Sequence, residues 1–114
     1  MMIEEKMNRH RWDEMKQYWT WRGKYIGVRQ GDYLVTYGGN VLGKFYGQEL
    51  YNQEGHYIGE IGRNERMFRD VTKNGFRRPI FSYGVKGSIS PCYRDCSAYP
   101  LLAGQEDFVF TEDK

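Results

Sequence analysis

The stretch "WRGKYIGVRQGDYLVTYGGNVLGKFYGQELYNQEGHYIGEIG", residues 21–62, carries glycine at Gly23, Gly27 and Gly31, again at Gly39, Gly43 and Gly47, and then at Gly55 and Gly59. The triplets are offset by sixteen residues. Cut at that period, the chain yields "YWTWRGKYIGVRQGDY" from Tyr18, "LVTYGGNVLGKFYGQE" from Leu34 and "LYNQEGHYIGEIGRNE" from Leu50. The sixth and tenth columns are glycine in all three units. The second is Trp19, Val35, Tyr51; the third Thr20, Thr36, Asn52; the eighth Tyr25, Val41, Tyr57; the ninth Ile26, Leu42, Ile58. Repeats on this scale mark an architecture built from one supersecondary unit.

Two-residue pairs ending in glycine sit between runs rich in Tyr, Trp, Val and Ile: Arg22-Gly23, Gly38-Gly39, Glu54-Gly55 and Asn74-Gly75. Glycine supplies the positive φ that hairpin turns need, so these are turn signals. A second set, Gln30-Gly31, Tyr46-Gly47 and Arg63-Asn64, falls midway through the units. Turns about every eight residues leave strands of about six, the length of an antiparallel meander. Helix is excluded over residues 20–65, because every eighteen-residue window there holds two or more glycines. The mid-strand glycines Gly27, Gly43 and Gly59 cost stability unless a bulge, a bend or a close approach requires them. Hairpins that all bend at one point suggest petals around a common axis.

A degenerate fourth unit, "DVTKNGFRRPIFSYGV" from Asp70, fits after a four-residue insertion at 66–69. It keeps Val71, Thr72 and Gly75 but has Pro79 in the tenth column. On the residues 21–27, 39–43 and 50–61 the chain resembles the small bacterial proteins called 4-fold beta flower proteins. The resemblance covers residues 18–83, over half the chain. It implies four β-hairpins in pseudo-fourfold order. It implies no activity, so no functional residue is carried over. The insertion before Asp70 and the Pro79 departure bear on the fourth petal.

The chain of 114 residues fits one domain, mainly β: a helical flank at 1–17, hairpin repeats at 18–83 and a docking segment with tail at 84–114. Residues 3–19 lack Gly and Pro, and Trp12, Met15 and Trp19 share a helical face, so a short helix over 4–17 is expected to cover one side of the sheet. After Tyr83, Gly, Ser and Pro predict irregular chain, with Leu101-Leu102 and Phe108-Val109-Phe110 as anchors or short strands. Aromatic residues make up 17% of the chain, which points to a core built largely from rings.

The N-terminal sequence places charges where a signal peptide needs an apolar run, and no stretch has the ~20 apolar residues of a membrane span. A cytoplasmic protein without a membrane partner is expected. Cys92 and Cys96 are too few for a secreted disulfide framework, so free thiols are expected, with a disulfide possible if the segment turns. Zinc needs more ligands than these two, and His10 and His56 stand in no ligand motif. No Cys-His pair, phosphate loop or evident pair of buried acids emerges, so neither catalytic residue nor metal nor cofactor is expected.

Charge is uneven: residues 63–78 hold six basic side chains against two acids, and residues 95–114 hold five acids against one lysine. Such a dipole can steer a charged partner, or the two segments can pair with each other. The leading expectation is a non-enzymatic binding or protein-interaction module, with a protein partner or self-association. The alternative is a phosphate-bearing ligand, a nucleotide or single-stranded nucleic acid, held by Arg63, Arg66, Arg69, Arg77 and Arg78 with Phe76 as a stacking ring. A third possibility is a carbohydrate or cationic-headgroup site built from rings such as Trp21, Tyr37 and Tyr57.

Overall fold

A computed structural model describes residues 16–82 and 92–110. The glycine ruler becomes strands β1 (Gln17–Thr20), β2 (Tyr25–Gln30), β3 (Tyr33–Thr36), β4 (Val41–Tyr46), β5 (Glu49–Tyr51), β6 (Tyr57–Ile61) and β7 (Arg66–Asp70). Each pairs antiparallel with the next. An odd number of up-and-down strands leaves the first and last running the same way. Closure is accordingly parallel: β1 pairs with β7 through Trp19↔Arg66 and Thr20↔Met67. The result is a seven-stranded barrel, an arrangement that leaves no long open edge.

Three of the turns share one construction. Thr20 N donates to Lys24 O (2.8 Å), Gly23 N donates to Thr20 O (2.9 Å), and Thr20 Oγ1 accepts from Lys24 N (3.1 Å). Thr36 makes the same three bonds with Asn40 and Gly39, and Asn52 makes them with His56 and Gly55. Gly23, Gly39 and Gly55 take φ of 101°, 95° and 89°, the region glycine enters without a Cβ penalty. The third column therefore supplies the turn's side-chain acceptor. In the other set of turns the frame shifts by one: Gly31 and Gly47 open the turn rather than close it. Between β6 and β7 the left-handed pair is Asn64 and Glu65, with φ of 56° and 58°.

The ninth column is the bulge. Tyr18 faces Gly27 and Trp19 faces Tyr25, leaving Ile26 as the extra residue; Leu42 and Ile58 are skipped in the same way. The tenth column is a close approach. A Cβ at Gly27 would lie 1.9 Å from Val35 O, and one at Gly43 would lie 2.5 Å from Tyr51 O. Bulges bend strands and raise local twist, which is how a short sheet curls shut.

Tyr18, Ile26, Leu34, Phe45, Leu50, Met67 and Phe108 form the buried core cluster, with Leu42, Ile58, Ile61 and Phe110 against it. Consecutive burial of Tyr25, Ile26, Gly27 and Val28 shows that β2 is covered on both faces. Its outer cover comes from the segment 93–100. Trp19 Nε1 donates to Arg94 O (3.0 Å), Tyr25 N to Asp95 Oδ1 (2.9 Å), Cys96 N to Gly23 O (2.7 Å) and Trp21 Nε1 to Pro100 O (2.8 Å). Residues 76–81 do the same over the third turn, where Arg78 N donates to Gly55 O (2.9 Å) and Phe81 N to Gln53 O (3.2 Å).

Two expectations are corrected. Most of the helix placed over 4–17 lies outside the described residues, but Gln17 opens β1 and Trp19, assigned to a helical face, is a strand residue. Pairing with both β2 and β7 gives this segment its hydrogen bonds as strand. No fourth hairpin forms among the described residues. After β7 comes a 3-10 turn at Val71–Lys73, with Asn74 right-handed (φ −58°), so Asn74-Gly75 makes no positive-φ pair. The second antiparallel partner of β7 is instead β8 (Gln105–Asp107), which takes Phe68, Arg69 and Asp70 on the edge where β1 takes Arg66 and Met67.

Candidate functional site

The five candidate arginines do not share one surface. Arg66 is buried; its guanidinium donates to Trp21 O (3.1 Å) and lies 3.9 Å from the Tyr99 ring centre. Arg63 stacks on the same ring at 4.8 Å. Arg69 is an odd number of residues along the same strand and so projects to the other face, where it pairs with Glu106. Arg77 Nη1 lies 2.9 Å from His56 Nε2, and Arg78 lies over Tyr46 and Tyr51 at 4.8 and 5.6 Å. Phe76 meets Tyr57 edge-on at 6.3 Å and is half exposed. The basic run is thus divided among Tyr99, Glu106 and the third turn. Trp21 and Tyr57 are buried in separate ring clusters, with Phe68 and Tyr99 and with Tyr51 and Phe76, while Tyr37 stacks on Tyr25.

A polar network joins β5, β6 and the 3-10 turn after β7. Glu49 and Glu60 face each other across the strands. Lys73 Nζ donates to both, at 2.9 and 2.8 Å. The Tyr51 and Tyr57 hydroxyls donate to Glu49 and Glu60 (2.8 Å each), and Asp70 N donates to the Tyr57 hydroxyl (2.9 Å). Hydrogen bonding from Lys73 holds the Glu49 carboxyl below its usual range, and the two glutamates push the Lys73 ammonium up. Burial raises the Tyr57 phenol. Glu49 and Lys73 are held in their ordinary charge states by their partners and Tyr57 by burial, the opposite of a poised acid or base. The network fastens the 3-10 turn to the barrel.

Beside β8 the surface is less committed. Asp107 Oδ1 accepts from Trp21 N and Phe108 N (2.9 Å each), which locks β8 to the end of β1. Phe108 enters the core, where its ring would lie 2.6 Å from a Cβ at Gly59, and Phe110 stacks on it at 6.4 Å. Alternation along this extended run leaves Val109 84% exposed. Val109 and Asp107 are shared by two clefts. One, of about 400 Å³, is lined by Ile58, Arg69 and Glu106; the other, of about 300 Å³, by Thr20, Arg22, Lys24, Phe108 and Phe110. The Nε of Arg69 is buried with no hydrogen-bond partner among the described residues. Lys24 makes no ion pair among the described residues; its ammonium stands 5.9 Å from the Phe110 ring centre.

Arg69 is the one predicted site residue in this region. Arg22, Lys24 and Val109 escaped sequence reasoning as site residues. Their signal was two cations flanking a turn glycine and an alternating Phe-Val-Phe run, and both read as ordinary turn and anchor features. Among the described residues no group of three or more His, Cys, Asp or Glu could hold a metal ion, and no helix is long and apolar enough to cross a membrane. Cys92 and Cys96 are exposed and unpaired. In comparisons with protein-family models, curated proteins and solved structures, nothing matches this chain.

Proposed function

We propose that this chain is a non-enzymatic binding module and that the paired clefts beside β8 are its binding face. The observation that carries the reading is the meeting, around Val109, of an exposed apolar side chain with a lysine that makes no ion pair and a buried guanidinium N–H that finds no acceptor among the described residues. The barrel interior is filled by its own side chains, which leaves the outer surface for recognition. Titrating isotope-labelled protein with a small-fragment library, followed by amide shifts, tests it. Shifts gathered at Thr20–Lys24, Ile58, Arg69 and Asp107–Phe110 are expected. Shifts gathered on another face would overturn the assignment, and so would turnover of a substrate abolished by changing Glu49 or Glu60.

Kinship with the 4-fold beta flower proteins belongs to the same proposal. The three identically bonded turns support it, and the absence of a fourth hairpin among the described residues counts against it. A cytoplasmic location is supported by the two exposed thiols, which suit a reducing compartment. A nucleic-acid reading draws on the exposed guanidinium–ring stacks of Arg63 on Tyr99 and Arg78 on Tyr46. Binding of a single-stranded oligonucleotide that weakens steeply with salt and with Arg63→Ala and Arg78→Ala together would favour it over the cleft.

A further inference from the structure

We infer that the clefts beside β8 take a small organic anion, an acidic group carried on an apolar or aromatic body. This rests on the reading of that face as the binding surface. The cations that line the clefts are Arg22, Lys24 and Arg69; the carboxylates are Glu106 and Asp107. Three against two leaves one net positive charge, and the pairing is uneven. Asp107 already accepts two backbone N–H bonds through Oδ1, and its other oxygen is 4.0 Å from Arg22 Nε on a mostly exposed side chain. An ion pair so long and so wet holds little of the attraction. Glu106 is engaged by a terminal nitrogen of Arg69. Among the described residues Lys24 is left without a carboxylate, and Arg69 Nε without any acceptor.

A buried N–H lacking an acceptor is an unfavourable state that an incoming oxygen atom relieves. The Arg69 side chain is 41% exposed and can turn its covered Nε toward a ligand while keeping Glu106 on another nitrogen, because the guanidinium presents donors in several directions. Apart from Thr20, the remaining lining is apolar: Ile58 in one cleft, Phe108 and Phe110 in the other, and Val109 between them. Volumes of about 400 and 300 Å³ suit a small molecule rather than a polymer. An acidic group directed to Arg69 or Lys24 with its apolar body against Val109 and Phe110 satisfies both halves of the surface.

The test uses the full chain and two matched dyes, anionic 1-anilinonaphthalene-8-sulfonate and neutral N-phenyl-1-naphthylamine, with inorganic phosphate as competitor. The inference expects saturable binding of the anionic dye, weakened about tenfold or more by Lys24→Met and by Arg69→Met. It expects the neutral dye to bind more weakly, and alike in all three proteins, with phosphate a poor competitor. Among the described residues Lys24 has no ion pair to lose, only the 5.9 Å contact of its ammonium with the Phe110 ring, so its variant keeps the test valid should Arg69→Met unfold, which far-UV circular dichroism reports. Equal binding of both dyes, unchanged by either substitution yet lost in Val109→Asp, overturns the anion inference while leaving the face a binding surface. Displacement of the dye by phosphate at comparable concentration overturns the need for an apolar body. Binding indifferent to Val109→Asp overturns the reading of the face itself.

Discussion

At the scale of single residues, Gly27 and Gly31 are required for different reasons that the sequence alone does not separate. Gly27 is needed for space: an added Cβ meets the backbone of Val35 and Thr36 at 1.9 to 2.8 Å. Backbone on a neighbouring strand cannot yield as a side-chain tip can. Gly31 is needed only for its φ of 59°, with nothing within 4 Å of a built Cβ. Asparagine tolerates that conformation better than other residues with a Cβ. Gly27→Ala is therefore expected to cost about 2–3 kcal/mol or prevent folding, and Gly31→Asn less than about 1 kcal/mol, by urea denaturation. Equal losses at the two positions would contradict this division.

At the scale of elements, two attachments matter most. Lys73 binds the 3-10 turn to β5 and β6 by neutralising two glutamates that face each other. The Glu49 pKa lies below its ordinary 4.5 when folded. Its ionised form therefore stabilises the fold above that pH, and the contribution disappears as pH falls through the folded value. The Lys73 pKa lies above its ordinary 10.5, so its contribution holds below that pH and is lost as pH rises through the folded value. Lys73→Met should cost about 1–2 kcal/mol at pH 7, and its gap to the parent should narrow as pH falls below 4.5. Thermal melts of both proteins from pH 3 to 8 (about one pH unit apart) check the sign; a gap that widens in acid would refute it. The second attachment is β8, which carries Phe108 into the core. Phe108→Ala leaves a cavity beside Gly59 and is expected to cost about 3–4 kcal/mol in denaturant unfolding.

At the scale of the whole molecule, closure rests on a short parallel contact of two residue pairs between β1 and β7, reinforced where β8 continues the line of β1. A barrel closed through its first and last strands has few independent parts, since opening the seam exposes Tyr18 and Met67 together. Unfolding followed by tryptophan fluorescence in a Trp12→Phe background, which then reports Trp19 and Trp21 at the seam, should coincide with unfolding followed by far-UV circular dichroism. An earlier fluorescence transition would show the seam opening by itself. The same closure explains why the proposed binding face is on the outside: seven strands this short enclose only their own side chains.

The sequence by itself determined the strand rhythm and the first three turns, because each depends on local backbone preference, and it marked the mid-strand glycines as a bend, bulge or close approach without deciding which. Gly23, Gly39 and Gly55 mark their turns whatever surrounds them. Even the acceptor role of Thr20, Thr36 and Asn52 was legible as a column, though not as a hydrogen bond. Tertiary structure decided the rest. Whether β7 would meet a fourth hairpin or a distant strand depends on residues nearly forty positions further along the chain, and long-range pairing leaves no periodic trace. The basic run looked continuous in sequence, yet strand alternation and separate ring partners scattered it. The candidate site arises where the first turn, β7 and the C-terminal run converge. Its chemistry comes from which charges folding pairs and which it leaves unpaired, and only the closed barrel fixes that balance.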